Sequence, residues 1–298
     1  MKKVLVTGAN GLLGQSVVSL FTRESDFEII QSSVEDESFI ELGLTYYKLD
    51  ITKKDDVKKA FEIHDPDIII NCAAFTDVDK CETEKEICWK LNVDAVKNLI
   101  IASRPRGKKI IHISTDYIFD GKNGPYTEED TPSPISFYGR SKLASENALV
   151  ASGVDYCIIR TMVLYGLGVK VKPNFALWMV NKLSRKEPIN IVDDMKGNST
   201  VVEDLAFGAL KIAERNGRGI YNIAGRDIIS RYDFAMIMCE VFKFDKSLVT
   251  RIKTSTLNQP APRPLNSGLI TYKSEAELGL KTMDSLEGLR LLKYQLGY

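Results

Sequence analysis

Short apolar runs alternate with stretches in which apolar positions recur three and four residues apart, and this alternation fills the first half of the chain. The runs Lys3–Thr7, Phe27–Gln31, Thr45–Leu49, Asp67–Asn71, Lys109–Ser114 and Asp155–Arg160 predict strands. The periodic stretches predict helices from about Leu12 to Arg23, Ile87 to Ser103 and Tyr138 to Ala151, and one opening at Thr52. Thr52 is read as the N-cap of that helix, with Asp55 and Asp56 in its first turn. Strands that are apolar on both faces and separated by helices must be covered on both sides. The expected class is therefore α/β, a doubly wound parallel sheet whose ligands sit at the carboxyl ends of the strands.

Beyond Arg160 the pattern is less regular. Helices are expected over Asn174–Ser184, Val201–Arg215, Arg231–Phe242 and Ser285–Tyr294, with a short strand at Gly219–Ala224. Gln259-Pro260-Ala261-Pro262-Arg263-Pro264 reads as a proline-rich linker. The division drawn from this change is residues 1–162 and 163–298. The second part is a smaller α/β lobe from which the chain is free to cross back to the first.

Composition narrows the partners. The chain of 298 residues carries 40 Lys plus Arg against 40 Asp plus Glu, a net charge of zero. That balance, without a basic stripe, argues against a nucleic-acid partner. No apolar run reaches the roughly 18 to 20 residues of a membrane span. The run after Met1-Lys2-Lys3 is too short for a signal-peptide core, which gives the expectation of a cytoplasmic protein. Five cysteines, none in a C-x-x-C pair, and only two histidines, His64 and His112, predict no zinc site, no disulfide framework and no imidazole base. Cys72 and Cys157 read as core thiols, and Trp89 and Trp178 as helix packing residues. The chemistry is left to hydroxyls, lysines, carboxylates or a cofactor.

Thr7-Gly8-Ala9-Asn10-Gly11-Leu12-Leu13-Gly14 joins the first strand to the first helix. Gly8 suits a tight turn, Gly11 the approach of backbone to a pyrophosphate, and Gly14 close packing of helix on sheet. This context makes residues 1–162 a dinucleotide-binding Rossmann domain, with Gly8, Asn10, Gly11, Leu12, Leu13 and Gly14 toward the cofactor. The second strand ends Ile29-Ile30-Gln31-Ser32-Ser33, with no carboxylate before Glu35. A hydroxyl at Ser32 rather than an acid favours NADP(H), with NAD(H) as the second option.

Tyr138-Gly139-Arg140-Ser141-Lys142 opens a predicted helix, so the phenol and the ammonium share one face. A nearby lysine and a cationic nicotinamide favour the phenolate and make the tyrosine a usable proton donor. A hydroxyl to hold a substrate carbonyl is expected at the end of the preceding strand, where Ser114 and Thr115 stand.

With these motifs and Asn71-Cys72-Ala73-Ala74, the chain resembles the extended short-chain dehydrogenase/reductase family along nearly its whole length. The resemblance implies a cofactor domain followed by a smaller lobe for a nucleotide sugar. It also implies Thr115 as the hydroxyl, Tyr138 as acid/base, and Lys142 as its partner on the nicotinamide ribose. Asp50 and Ile51 would flank the adenine, Ala73 and Ala74 would line the diphosphate and ribose path, and Asn92 would brace the sheet near the cofactor.

Asn71 to Lys80, Ser114 to Gly121, Asp194 to Thr200 with Glu203-Asp204-Leu205-Ala206, and Arg263-Pro264-Leu265-Asn266-Ser267-Gly268-Leu269 are similar to the dTDP-4-dehydrorhamnose reductase branch. That similarity implies NAD(P)H-dependent reduction of the 4-keto group of a nucleotide-activated deoxysugar, with Thr76, Asp116, Asn174 and Arg263 on the substrate side. Asn174 and Arg263 are the candidates for its sugar diphosphate. Val163 stands where many members carry a sugar-stacking tryptophan, and Ser16 where some carry a magnesium-binding glutamate, so no metal is expected. Tyr117 replaces the glutamate that a sugar-nucleotide dehydratase would need after Asp116. The remaining alternatives are an epimerase and a non-catalytic NADP-binding subunit of the methionine adenosyltransferase type. A homodimer stays open.

Overall fold

The structure, a computed structural model, describes residues 1–298. Its centre is a sheet of seven parallel strands, the first six being β1 (Lys3–Thr7), β2 (Glu28–Ser33), β3 (Thr45–Lys48), β4 (Ile68–Asn71), β5 (Lys109–Thr115) and β6 (Asp155–Thr161). From one edge the order is Gly219–Asn222, β6, β5, β4, β1, β2, β3. The chain winds outward from β1 through β2 to β3, then returns to the other side of β1 to place β4. The crevice between β1 and β4 is thus the topological switch point. Register brings Thr7 beside Asn71, Asn71 beside His112, and Thr115 beside Thr161, so the carboxyl ends form one rim.

Each sheet face has its own core. On one side α1 (Leu12–Glu24) and the helix Val202–Arg215 pack together over β1, β4 and β6 through Val17, Phe21, Leu205 and Ala209. On the other, α2 (Lys54–His64) and the helix Ala95–Ser103 bury Val57, Phe61, Val96 and Leu99 against Leu5, Ile69 and Ile110. The first of these cores includes residues from the second half of the chain. The helix Val202–Arg215 leads into Gly219–Asn222, which pairs with β6, and Tyr272–Leu278 closes the same layer.

A third core around Tyr165, Met179, Phe234 and Met238 builds the smaller lobe. There Phe175–Ser184, Arg231–Phe242 and Ser285–Gln295 surround a parallel pair, Ile189–Val192 with Val249–Ile252. No helix is long and apolar enough to cross a membrane.

Three local expectations are revised. Thr52 is not the N-cap of α2: Asp50 accepts from its hydroxyl at 2.7 Å and from its amide at 3.0 Å, and Lys53 precedes the first turn. An aspartate two residues upstream captures the threonine in a turn before it can serve the helix. The long helix begins at Lys85, widens to π geometry over Lys90–Asp94, and resumes as Ala95–Ser103. Such a widening within an α-helix often marks a functional site, and Asn92 lies in it. The proline-rich segment is no solvated linker. Ala261 is only 3% exposed, and Arg263 is tied to Asp79 on the helix Val78–Thr83.

Candidate active site

The loop after β1 leaves no room for side chains. Gly8 has φ +66°, and a Cβ there would lie 2.7 Å from the amide nitrogen of Ala73. A Cβ on Gly14 would lie 2.2 Å from the carbonyl oxygen of Gly8. Gly11 is the N-cap of α1 and offers no capping side chain, so first-turn amides remain for an external anion. The cradle has the close backbone approach that a dinucleotide pyrophosphate needs. Gly14→Ala is expected to weaken NADPH binding at least tenfold, read by fluorescence titration. It should also lower stability by about 1–3 kcal/mol through overpacking; unchanged affinity would mean that the helix is free to shift away.

Around this loop several expected cofactor residues brace rather than face the crevice. The Asn10 amide donates to Glu35 Oε2 (3.1 Å) and the Glu37 carbonyl (3.0 Å) and accepts from the Phe39 amide (2.9 Å). Glu35 is thereby held beside the loop. Burial pushes its carboxyl up, but hydrogen bonds from Ser33, its own amide and Asn10 outweigh burial and leave it below the ordinary range. Ser32 is fully buried, and its hydroxyl donates to the Val6 carbonyl. Asp50 is occupied by Thr52, and Ile51 is buried with its carbonyl accepting from Asn98. Ala74 lines the crevice, while Ala73 backs Gly8. Asn92 pins residue 75 through both backbone atoms (2.7 and 3.1 Å) and donates to Ser141 at 3.0 Å.

From the glycine loop a single cavity of about 900 Å³ runs past the ends of β4, β5 and β6 into the smaller lobe. Leu12, Leu13, Thr76, Thr115, Asp116, Tyr138, Lys142 and Arg263 line it, as the sequence suggests. Tyr138 and Lys142 project from the helix Phe137–Val150, whose start is capped by Ser136 accepting from the Gly139 amide at 3.0 Å. Burial pushes the Tyr138 phenol well up; the Thr115 hydroxyl acts in the opposite direction, while Asp116 and Tyr117 raise it further. The proton is therefore held on the phenol.

Lys142 is pushed down to about 8 by burial, although Glu146 and Cys88 act upward. Its ammonium donates to the Ile113 carbonyl at 2.7 Å and lies 3.2 Å from His112 Nε2. His112 is a residue that sequence reasoning passed over. Thr7 donates to Asn71 Oδ1 (2.6 Å), which turns the Asn71 amide nitrogen toward His112 Nδ1 (3.1 Å). Nε2 then carries the imidazole proton and faces the Ser145 hydroxyl at 3.0 Å, which itself donates to the Lys142 carbonyl. Burial, and then the Lys142 charge, push His112 far below its ordinary value. The ring is neutral and lies behind the lysine; with Nε2–H turned to Ser145 it accepts nothing from the ammonium, which is held by the Ile113 carbonyl.

On the substrate side Asp116 is buried and held by Ser267 (2.7 Å) and Thr115 (3.1 Å). Burial raises its carboxyl, against both hydrogen bonds and the charge of Arg231. Asn174 stands apart from the cavity lining. Its amide caps Phe175–Ser184, accepting from the Leu177 amide and donating to the Gly166 carbonyl. Arg263 lines the cavity, but both terminal nitrogens face Asp79 (3.0 and 2.7 Å), and one also donates to the Ala261 carbonyl. Trp178 stacks on Phe175 and lines the cavity, so it is more than helix packing. Val163 lines it too, with φ +46°, a strained conformation for a branched residue.

The family model described as the RmlD substrate binding domain matches residues 1–294. A probable low-salt glycan biosynthesis reductase from Haloferax volcanii is 34% identical over 92% of this chain and 91% of its own length. A crystal structure of a dTDP-4-dehydrorhamnose reductase from Clostridium acetobutylicum superposes with a TM-score of 0.89 at 36% identity. It covers 99% of this chain and 100% of its own. A dTDP-4-dehydrorhamnose reductase from Bacillus anthracis, solved in complex with NADP, gives a TM-score of 0.86 at 29% identity, covering 99% of this chain and 100% of its own.

Proposed function

This chain belongs to the RmlD substrate binding domain family, of the extended short-chain dehydrogenase/reductase type, and on that premise we propose that it reduces the 4-keto group of a nucleotide-activated deoxysugar with NADP(H). The carrying observation is the single cavity that joins the glycine cradle, the Thr115–Tyr138–Lys142 set and the smaller lobe. Gly8, Gly11 and Gly14 would hold the cofactor's pyrophosphate, and Lys142 its nicotinamide ribose. When bound, the reduced nicotinamide supplies a hydride to the ketone carbon.

The chain's own residues handle the proton. Tyr138 delivers it to the ketone oxygen, and the Lys142 ammonium stabilises the phenolate left behind. The Thr115 hydroxyl, which donates to Asp116, would turn toward the same oxygen. Asp116 without an adjoining glutamate supports reduction over dehydration.

The test is oxidation of NADPH and NADH, followed by absorbance, against a panel of 4-keto sugar nucleotides. NADH belongs in it because the Glu35 carboxylate beside Asn10 is suited to ribose hydroxyls. Turnover with at least one ketone is expected. No oxidation with any of them would overturn the reductase reading, and stoichiometric co-purification with a synthetase would then favour the non-catalytic one.

The state of Lys142 gives a pH dependence. Its folded value of about 8 lies below the ordinary 10.5, so the charge is present at neutral pH and is lost as pH rises through 8. kcat/KM for reduction is expected to be level between pH 6 and about 7.5 and to fall above about 8. A profile level to pH 10 would remove the Lys142 charge from the mechanism.

A further inference from the structure

We propose that Arg231 is the receptor for the diphosphate of the substrate, a residue that neither the glycine motif nor the Tyr–Lys motif points to. This rests on the sugar-nucleotide reading above and names the group that would hold the charged part of that substrate. Arg231 is the first residue of the helix Arg231–Phe242, and its side chain lines the cavity in the smaller lobe. The guanidinium stands 5.5 Å over the Phe175 ring and makes no ion pair or hydrogen bond with the protein. Burial disfavours its charge, with only longer-range attraction from Tyr117 and Asp116 in return.

The other cations of the cavity are committed. Lys142 donates to the Ile113 carbonyl below Tyr138. Arg263 spends both terminal nitrogens on Asp79, an arrangement that fastens the 259–264 segment to the first lobe. The oxygens of Asp116, the buried carboxylate whose charge acts on Arg231, accept from Thr115 and Ser267.

Arg231 thus brings five unspent N–H donors in a planar fork to the partly buried wall of the cavity. A phosphate matches that fork in charge and geometry. Arg263, the arginine that the sequence favours for this role, becomes a positioning residue that holds the strap.

The test is calorimetric titration of dTDP and of thymidine into the wild-type protein, Arg231→Ala and Arg231→Lys, with NADPH affinity as the control. Arg231→Ala is expected to weaken dTDP roughly 30-fold or more while leaving thymidine and NADPH unchanged. Arg231→Lys should lose about tenfold, since it keeps the charge and loses the fork. An equal fall for dTDP and thymidine would make Arg231 a packing residue on Phe175 and overturn the assignment, as would an unchanged dTDP affinity. Those results leave the reductase reading intact where the wild type still turns over a keto sugar nucleotide. A wild type that binds neither dTDP nor any other nucleoside diphosphate represented in the ketone panel would instead sink the proposed substrate class, and this assignment with it.

Discussion

Tyr138→Phe is expected to lower kcat for carbonyl reduction by about 10²–10⁴-fold while leaving NADPH affinity and thermal stability close to wild type. The reasons are local. The ring packs edge-on to Tyr117 at 5.5 Å and joins Cys81 and Cys88 in a small buried cluster, contacts that phenylalanine keeps. What it loses is the hydroxyl, whose proton burial retains through the neutral range. No imidazole is available in its place, because His112 is buried behind Lys142 and His64 lies at the C-terminal end of α2. Stopped-flow oxidation of NADPH with the active ketone is the direct measurement. Wild-type turnover in the variant would make the tyrosine assignment wrong.

A second large effect is expected from Arg160→Leu, this time on stability. Arg160 on β6 donates to both carboxylate oxygens of Glu146 (3.2 and 2.8 Å) and to the Glu128 carbonyl (3.1 Å). Both side chains are only 3% exposed. Glu146 sits one turn beyond Lys142, so the pair fastens the Tyr138-bearing helix to the sheet. Removing the arginine leaves a carboxylate buried without a partner, a loss of about 3–5 kcal/mol. For a chain of this size that corresponds to a fall in Tm of roughly 10 °C. Glu146→Leu combined with Arg160→Leu should recover most of it, because the desolvation of both charges disappears together. A single variant within about 1 kcal/mol of wild type would mean that water reaches the pair.

The parts of the site that the sequence made legible have local causes. Gly8, Gly11 and Gly14 follow from backbone geometry over seven residues, and Tyr138 with Lys142 follows from helical periodicity. Residues whose partners lie far along the chain were not legible in this way. Arg263 reads as a phosphate ligand because nothing in its neighbourhood announces Asp79, 184 positions earlier. His112 reads as one residue of an apolar strand because its contacts come from Asn71, Lys142 and Ser145.

Two signals were available locally. Asn174 is the first residue of the stretch expected to be helical, and an asparagine there suits a cap one place earlier; capping is where its amide is used. Ser230 and Asp233 form a capping box that fixes where a helix starts, and hence where Arg231 is placed at its first turn. The first signal was obscured by a helix start placed one residue early, whereas the second helix was expected to start at Arg231, where it does.

The return of residues 202–222 and 272–280 to the first layer sets terms for protein engineering. A chimaera that exchanges smaller lobes between two relatives by cutting near residue 163 would strip α1 of its packing partner and β6 of its neighbouring strand. The exchangeable part is two separate stretches, about 164–201 and 225–258, with 283–298 as a third that rides on them. Substrate preference could then be transplanted only by a graft with several junctions.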